Sequence, residues 1–407
     1  MENRVVITGM GIYSCIGKNL MEVSESLRHG KSGIILSPER KEYGYRSGLT
    51  GYVERPNLKT LLDRRARMML PEQGEFAYVA TAEALKTAAL EPDYIAKHET
   101  GILYGNDSTI EPVIHSADIV RAKKNTMMVG SGSVFQTMNS TVTMNLASIF
   151  KLKGVNFTVG GACASGSHTV GLGYILIKHG YQDCLICGGA QEVNVFSMGS
   201  FDALGIFSAK ENDPAGACRP FDRGRDGLVP SGGAATVIVE SLEHALKRGA
   251  PILAEILGYG FSSNGEQIST PTVDGPKRAL EMALKDSGLP LSGIDYINAH
   301  ATSTPAGDSA EAKAIYSIFG KKCPWISSTK SMTGHECWMA GSSELVYSVL
   351  MAQNAFIAPN INFKEPDEDS KRLKIAAETV EREIGTFVSN SFGLGGTNSV
   401  LVVKKWK

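Results

Sequence analysis

Short apolar runs that read as strands recur along this chain, each followed by a turn of small or polar residues and then by a segment of helical periodicity. That alternation is the pattern of an α/β protein, in which sheets and helices bury their apolar faces against one another in layers. Strands are expected at residues 5–8, 101–104, 155–159, 235–239 and 401–403, and helices at 75–88, 168–178, 276–287, 309–318 and 343–353. The succession strand, small-residue loop, amphipathic helix occupies 155–178 and again 325–353, which suggests an internal duplication. A chain of 407 residues is long enough for two such halves around a shared core. The turn-rich Arg248-Gly-Ala-Pro251 is the expected exchange, giving halves of 1–250 and 251–407. No heptad, short repeat or low-complexity tract points to a coiled coil or solenoid.

Composition narrows the classes of function. Lysine and arginine number 41 against 42 acidic residues, so no global field draws nucleic acid or a membrane surface, and any basic docking patch must be local. The opening Met1-Glu-Asn-Arg-Val-Val-Ile-Thr runs straight into a strand without a leader-like segment, and no apolar stretch reaches bilayer length; a cytoplasmic protein is expected. Seven scattered cysteines suit reduced thiols better than a disulfide framework. Cys184 and Cys187 form a lone CxxC in an apolar run and are read as strand packing, with no metal site expected.

Four segments carry chemistry. In Thr158-Val-Gly-Gly-Ala-Cys163-Ala-Ser-Gly-Ser-His168 a cysteine stands between a strand and a helix among residues with almost no side chain. A helix N-terminus there would favour the thiolate, and its free amides would stabilise an oxyanion; a buried small cysteine in a tight turn is the structural alternative. His300 ends a strand ahead of three hydroxyl residues, and His335 follows another strand with Lys330 before it. A cysteine hydrolase would need one histidine as base, whereas a decarboxylative condensation needs a cysteine to hold the acyl group and two donors for an enolate; two histidines suit the second better. The glycines of Ser389-Asn-Ser-Phe-Gly-Leu-Gly-Gly-Thr-Asn398 would let backbone approach the reacting centre.

With these motifs in order, the sequence resembles the β-ketoacyl-acyl carrier protein synthases from end to end, most closely the ketosynthase I type of bacterial type II fatty-acid synthesis. The resemblance implies a thiolase-like fold, two duplicated α/β halves stacked as five layers (α-β-α-β-α), usually a homodimer. It implies an acyltransferase that extends an acyl chain by two carbons. Cys163 would hold the chain, the backbone N–H groups of Cys163 and Leu394 would form the oxyanion hole, and His300 and His335 would stabilise the malonyl-derived enolate. Lys330, paired with Glu311, would order the site, and Thr302 and Thr304 would contact the pantetheine arm. Phe392, Gly393, Leu394 and Gly395 would form a gating loop. The arm belongs to the acyl carrier protein, so no bound cofactor is implied. For this acidic partner the candidate docking clusters are Arg64, Arg65 and Arg67, and Arg121, Lys123 and Lys124.

Several positions depart from the family pattern. Ala301 replaces a glycine, Leu394 stands where a gating phenylalanine is common, and Glu336-Cys-Trp-Met-Ala340 replaces a hydroxyl, leucine and small residues, which puts bulk and charge beside the site. The stretch Tyr104-Gly-Asn-Asp-Ser-Thr-Ile-Glu-Pro112 is unusually polar, either lining the acyl pocket or covering the surface. These changes keep open a specialised ketosynthase for polyene or polyketide chains, working alone or with a related subunit. An acyl-binding subunit without turnover is the reading from a different class, disfavoured because the nucleophile and both histidines are present.

Overall fold

The computed structural model describes residues 2–407. Ten strands carry the architecture: β1 Val5–Ser14, β2 Gly101–Gly105, β3 Asn156–Val159, β4 Cys184–Gln191 and β5 Gly233–Ser241, then β6 Ala254–Ser263, β7 Tyr296–Asn298, β8 Trp325–Ser327, β9 Thr386–Phe392 and β10 Thr397–Lys405. The first five lie in the order β3-β2-β4-β5-β1 and the second five in the order β8-β7-β9-β10-β6. In each set the first two pairings are parallel and the last two antiparallel. The repeated order is the structural counterpart of the duplication expected from the sequence. β1 meets β6 through only three residue pairs, Val5–Ile7 against Ala254–Ile256, and this short contact makes one continuous sheet of 11 strands with Lys374–Ile375 at the edge beside β8.

Six helices complete the layers: α1 Glu72–Thr87, α2 Thr141–Phe150, α3 Ser165–Lys178, α4 Asp274–Ser287, α5 Pro305–Phe319 and α6 Ala340–Gln353. α3 and α6 pack against each other between the two sets of strands, α1 and α2 cover the outer face of the first set, and α4 and α5 pack together on the second. β1, β4 and β5 are buried at every residue, so they read as unbroken apolar or small-residue runs rather than alternating ones.

Every expected strand and helix is present, with shifted ends. α6 begins three residues before the expected position because its first turn, Ala340-Gly-Ser, carries no apolar periodicity. It is buried from Ala340 through Ala352, as a helix in a middle layer must be. Cys184 and Cys187 are buried within β4, in keeping with strand packing. No helix among the described residues is long and apolar enough to cross a membrane.

Candidate active site

The nucleophile candidate sits on a strained turn. Between β3 and α3 the chain makes one 3-10 turn, Ala162–Ala164, with Ala162 at φ +45°, a left-handed conformation that side chains disfavour. Three hydrogen bonds hold the turn: Gly161 N–H donates to Ser165 Oγ at 2.9 Å, Ser165 Oγ–H donates to Ala162 O at 2.7 Å, and Ala162 N–H donates to Asp107 Oδ2 at 2.9 Å. Cys163 is 6% exposed. Burial pushes its thiol up, while the Leu394 backbone N–H and then the Lys330 charge oppose the shift. The net direction is upward, away from the thiolate, because the desolvation of the buried thiol exceeds the opposing groups. The Leu394 backbone N–H acts on the Cys163 sulfur, and both residues line one cavity.

The C-terminal glycine loop reaches the nucleophile only because it lacks side chains. A Cβ on Gly393 would lie 2.9 Å from Gly161 O and 2.7 Å from Thr397 Cγ2. Phe392, Gly393, Leu394 and Gly395 line a cavity of about 410 Å³ together with Cys163, His300 and His335. Thr302 and Thr304 stand on the same cavity, their hydroxyls 3.1 Å apart. Leu394 is 44% exposed.

His300 follows β7 directly, whereas His335 lies beyond β8 by one short helix, Lys330–Thr333, and a turn at Gly334. Their ring centroids are 5.4 Å apart at 86°. Burial holds both imidazoles well below their usual value; Lys330 adds to the effect on both, and His335 further lowers His300. Each ring is therefore neutral at pH 7 and keeps one N–H to donate. Ala301 does not require a left-handed backbone, so the glycine-to-alanine departure costs no strain there.

The expected pairing of Lys330 with Glu311 is corrected. Lys330 Nζ is paired with Glu344 on α6, both side chains being 1% exposed. Glu311 on α5 is already occupied: it accepts from the His300 N–H at 2.9 Å, the Ala301 N–H at 2.7 Å and Asn390 Nδ2 at 2.9 Å. It holds the backbone that carries His300 while remaining within electrostatic range of Lys330.

The charge expected beside the site is turned away from it. The Glu336 carboxyl accepts from Ser343 Oγ at 2.5 Å and Tyr347 Oη at 2.8 Å, both on α6, and burial pushes it up to about 7. The added bulk is Trp338, which shares a buried cluster with Cys163, while Cys337, at the leucine position, lines the cavity. In the polar stretch 104–112, Asp107 anchors the turn that carries Cys163 and Ser108 Oγ accepts from Trp338 Nε1 at 3.0 Å, while none of its residues lines the cavity at Cys163. Nothing local in the sequence marked Asp107 for that task; its polarity in a small-residue context was the only signal.

The basic clusters lie on exposed surface. Arg64 and Arg65 are exposed, while Arg67 is half-buried with Nε lacking a partner; Arg121, Lys123 and Lys124 are exposed, with Arg121 3.1 Å from Asp118. Helices Arg64–Met69 and Glu111–Lys123 both pack against the short helix Ser133–Thr137, and none of the six basic residues lines the cavity.

Known proteins resemble this chain along its length. Residues 2–245 match the family description "Beta-ketoacyl synthase, N-terminal domain", and residues 253–364 match "Beta-ketoacyl synthase, C-terminal domain". The chain is 42% identical over 406 residues to 3-oxoacyl-[acyl-carrier-protein] synthase 1 of Haemophilus influenzae, covering 99% of each chain. It is likewise 42% identical over 407 residues to the Escherichia coli K12 protein of that name, again over 99% of each. Among solved structures, a β-ketoacyl synthase from Burkholderia phymatum superposes with TM-score 0.93 at 33% identity, covering 100% of both chains. A type II polyketide ketosynthase in complex with its acyl-carrier protein and bound to the hexaketide superposes with TM-score 0.89 at 29% identity over 100% of both chains.

Proposed function

Because the chain belongs to the β-ketoacyl synthase family, we propose that it catalyses decarboxylative condensation of malonyl-acyl carrier protein with an acyl group held on Cys163, in fatty-acid biosynthesis. The observation that carries this reading is one cavity lined by Cys163, two neutral histidines, the 393–395 loop and the paired threonines.

The Cys163 sulfur attacks the acyl thioester while the N–H groups of Cys163 and Leu394 take up the oxyanion; the carrier's pantetheine thiol leaves with the proton that the cysteine gave up. Malonyl-carrier protein then lays its arm along Thr302 and Thr304. Its carboxylate departs as carbon dioxide and leaves its electron pair in an enolate, which accepts hydrogen bonds from His300 and His335. The enolate carbon attacks the Cys163 thioester, the cysteine leaves as thiolate, and a solvent proton restores the thiol. The product is longer by two carbons. Lys330 and Glu311 are positioning residues, the first holding both histidines neutral and the second fixing the backbone of His300.

The same reading extends to the surroundings. No metal or bound cofactor enters the chemistry, and the protein works in the cytoplasm. The two halves divide near 250/251, between helix Leu242–Lys247 and β6. A homodimer is supported by the exposed edge strand β3 with Phe157 at 61% exposure, and by exposed Met127, Met128, Phe135 and Met138 in the 126–138 segment. The carrier protein docks on the two basic clusters. A polyene or polyketide acyl chain is the second reading, favoured by Trp338, which stands where the family pattern has a small residue and shares a buried cluster with Cys163.

Mass spectrometry of the intact protein with a panel of acyl-carrier proteins tests the proposal. Acylation that requires Cys163, followed by a product two carbons longer on addition of malonyl-carrier protein, is expected. Absence of any adduct would overturn it.

A further inference from the structure

Two stretches that depart from the family pattern meet beside the nucleophile. The Trp338 indole N–H donates to Ser108 Oγ at 3.0 Å across 230 residues of sequence. Trp338 is 6% exposed and belongs to the buried cluster of Cys163, Met198, Phe207, Leu228 and Cys337, with Phe201 packed against it at a ring-centroid distance of 6.2 Å. Met198, Phe201 and Phe207 line the cavity; Trp338 packs against Phe201 and shares a buried cluster with the other two.

This indole is held from both ends. At the backbone, Trp338 O lies so close to the first turn of α3 and to β4 that a Cβ on Gly166 would be 3.0 Å from it and one on Gly189 only 2.5 Å. Cys337, just before it, has φ +47°, which sets the direction of the turn. At the tip, the Ser108 hydrogen bond removes the remaining freedom of the ring. A residue that buries so large a rigid surface with its polar atom satisfied does not swing aside cheaply for a ligand. The whole cavity, including the part that faces the pantetheine threonines, has a volume of about 410 Å³, toward the small end of the roughly 300–1,000 Å³ usual for ligand sites.

Resting on the condensing-enzyme reading, we propose that Trp338, pinned by Ser108, is a fixed stop at the end of the acyl site, so that Cys163 accepts short acyl groups and rejects long saturated ones. An added methylene that has no space must displace packed side chains, and discrimination by pocket size is worth about 10-fold or more per misfit group.

The test measures Cys163 acylation rates by intact mass with hexanoyl-, octanoyl-, decanoyl- and tetradecanoyl-carrier proteins, for the native chain, Trp338→Ala, Trp338→Phe and Ser108→Ala. The native chain should favour hexanoyl over tetradecanoyl, and Trp338→Ala should raise the tetradecanoyl-to-hexanoyl ratio by about tenfold or more. Trp338→Phe and Ser108→Ala should fall between, and they keep the test decisive if the alanine variant at 338 does not fold. A native chain that takes all lengths equally, or folded variants with the native length profile, would overturn the stop. Failure of every donor to acylate Cys163 would instead overturn the condensing reading itself.

Discussion

Lys330 and Glu344 form an ion pair between the short helix at 330–333 and α6, with both side chains almost wholly withdrawn from water. The pair fixes the lysine charge where it acts on both histidines. Burial pushes the Glu344 carboxyl up to about 8 against the opposing lysine charge, so in Lys330→Met it takes a proton and is left buried without its partner, at a cost of about 1–3 kcal/mol in denaturant unfolding. The substitution should also raise the pKa of His300 and His335 toward the ordinary histidine range, read by NMR titration of the ring protons. An unchanged titration would show that the lysine does not tune them.

Acylation and condensation should separate genetically. His300→Ala and His335→Ala should each leave Cys163 able to accept an acyl group while reducing condensation about 10²–10³-fold, the usual effect of losing one oxyanion-type donor. The two steps are read on one sample, as the intact-mass adduct and as elongated product. Equal loss of both steps would place the histidines in acyl loading instead.

At Leu394 the amide, not the side chain, should matter. Leu394→Ala keeps the backbone N–H beside Cys163 and should retain acylation within a few fold. Leu394→Pro removes that donor and should slow acylation by about 10²-fold, with circular dichroism confirming the fold. Equal rates for the two variants would remove Leu394 from the oxyanion hole.

Glu336 should make the protein less stable as pH rises. Its folded pKa of about 7 lies above the ordinary carboxylate value, so the folded state binds the extra proton between about 4.5 and 7. The stabilising contribution of the protonated form is present below that window and is lost as pH rises through it, at most on the order of 3 kcal/mol. Glu336→Gln should abolish that part of the slope in urea unfolding measured from pH 5 to pH 8. The histidines act with the opposite sign, since their lowered pKa values make stability fall as pH drops below about 6.5.

Docking should respond to salt where chemistry does not. Reversing Arg64 and Arg65 to glutamate should raise KM for acyl-carrier protein about tenfold at low salt and flatten its ionic-strength dependence. Turnover of a small acyl thioester should stay close to native. A KM for carrier protein that does not move would clear this cluster of a docking role.

The amino-acid sequence by itself determined the α/β layering and the duplicated order of elements, and it singled out Cys163, His300, His335 and the 392–395 loop, which line one cavity. Each of these is written locally, as the period of an apolar run or as a reactive residue beside glycines and hydroxyls. Element ends were less legible where first turns, such as that of α6, consist of small residues without periodicity. Only the tertiary structure decided that Lys330 pairs with Glu344 rather than Glu311, because which carboxylate is free depends on the amides of His300 and Ala301 arriving from another strand end. It alone placed Asp107 under the nucleophile turn and Ser108 on Trp338. Those contacts join residues 55 and 230 positions apart, and such distances close only when the layers pack, so no local pattern in the chain records them.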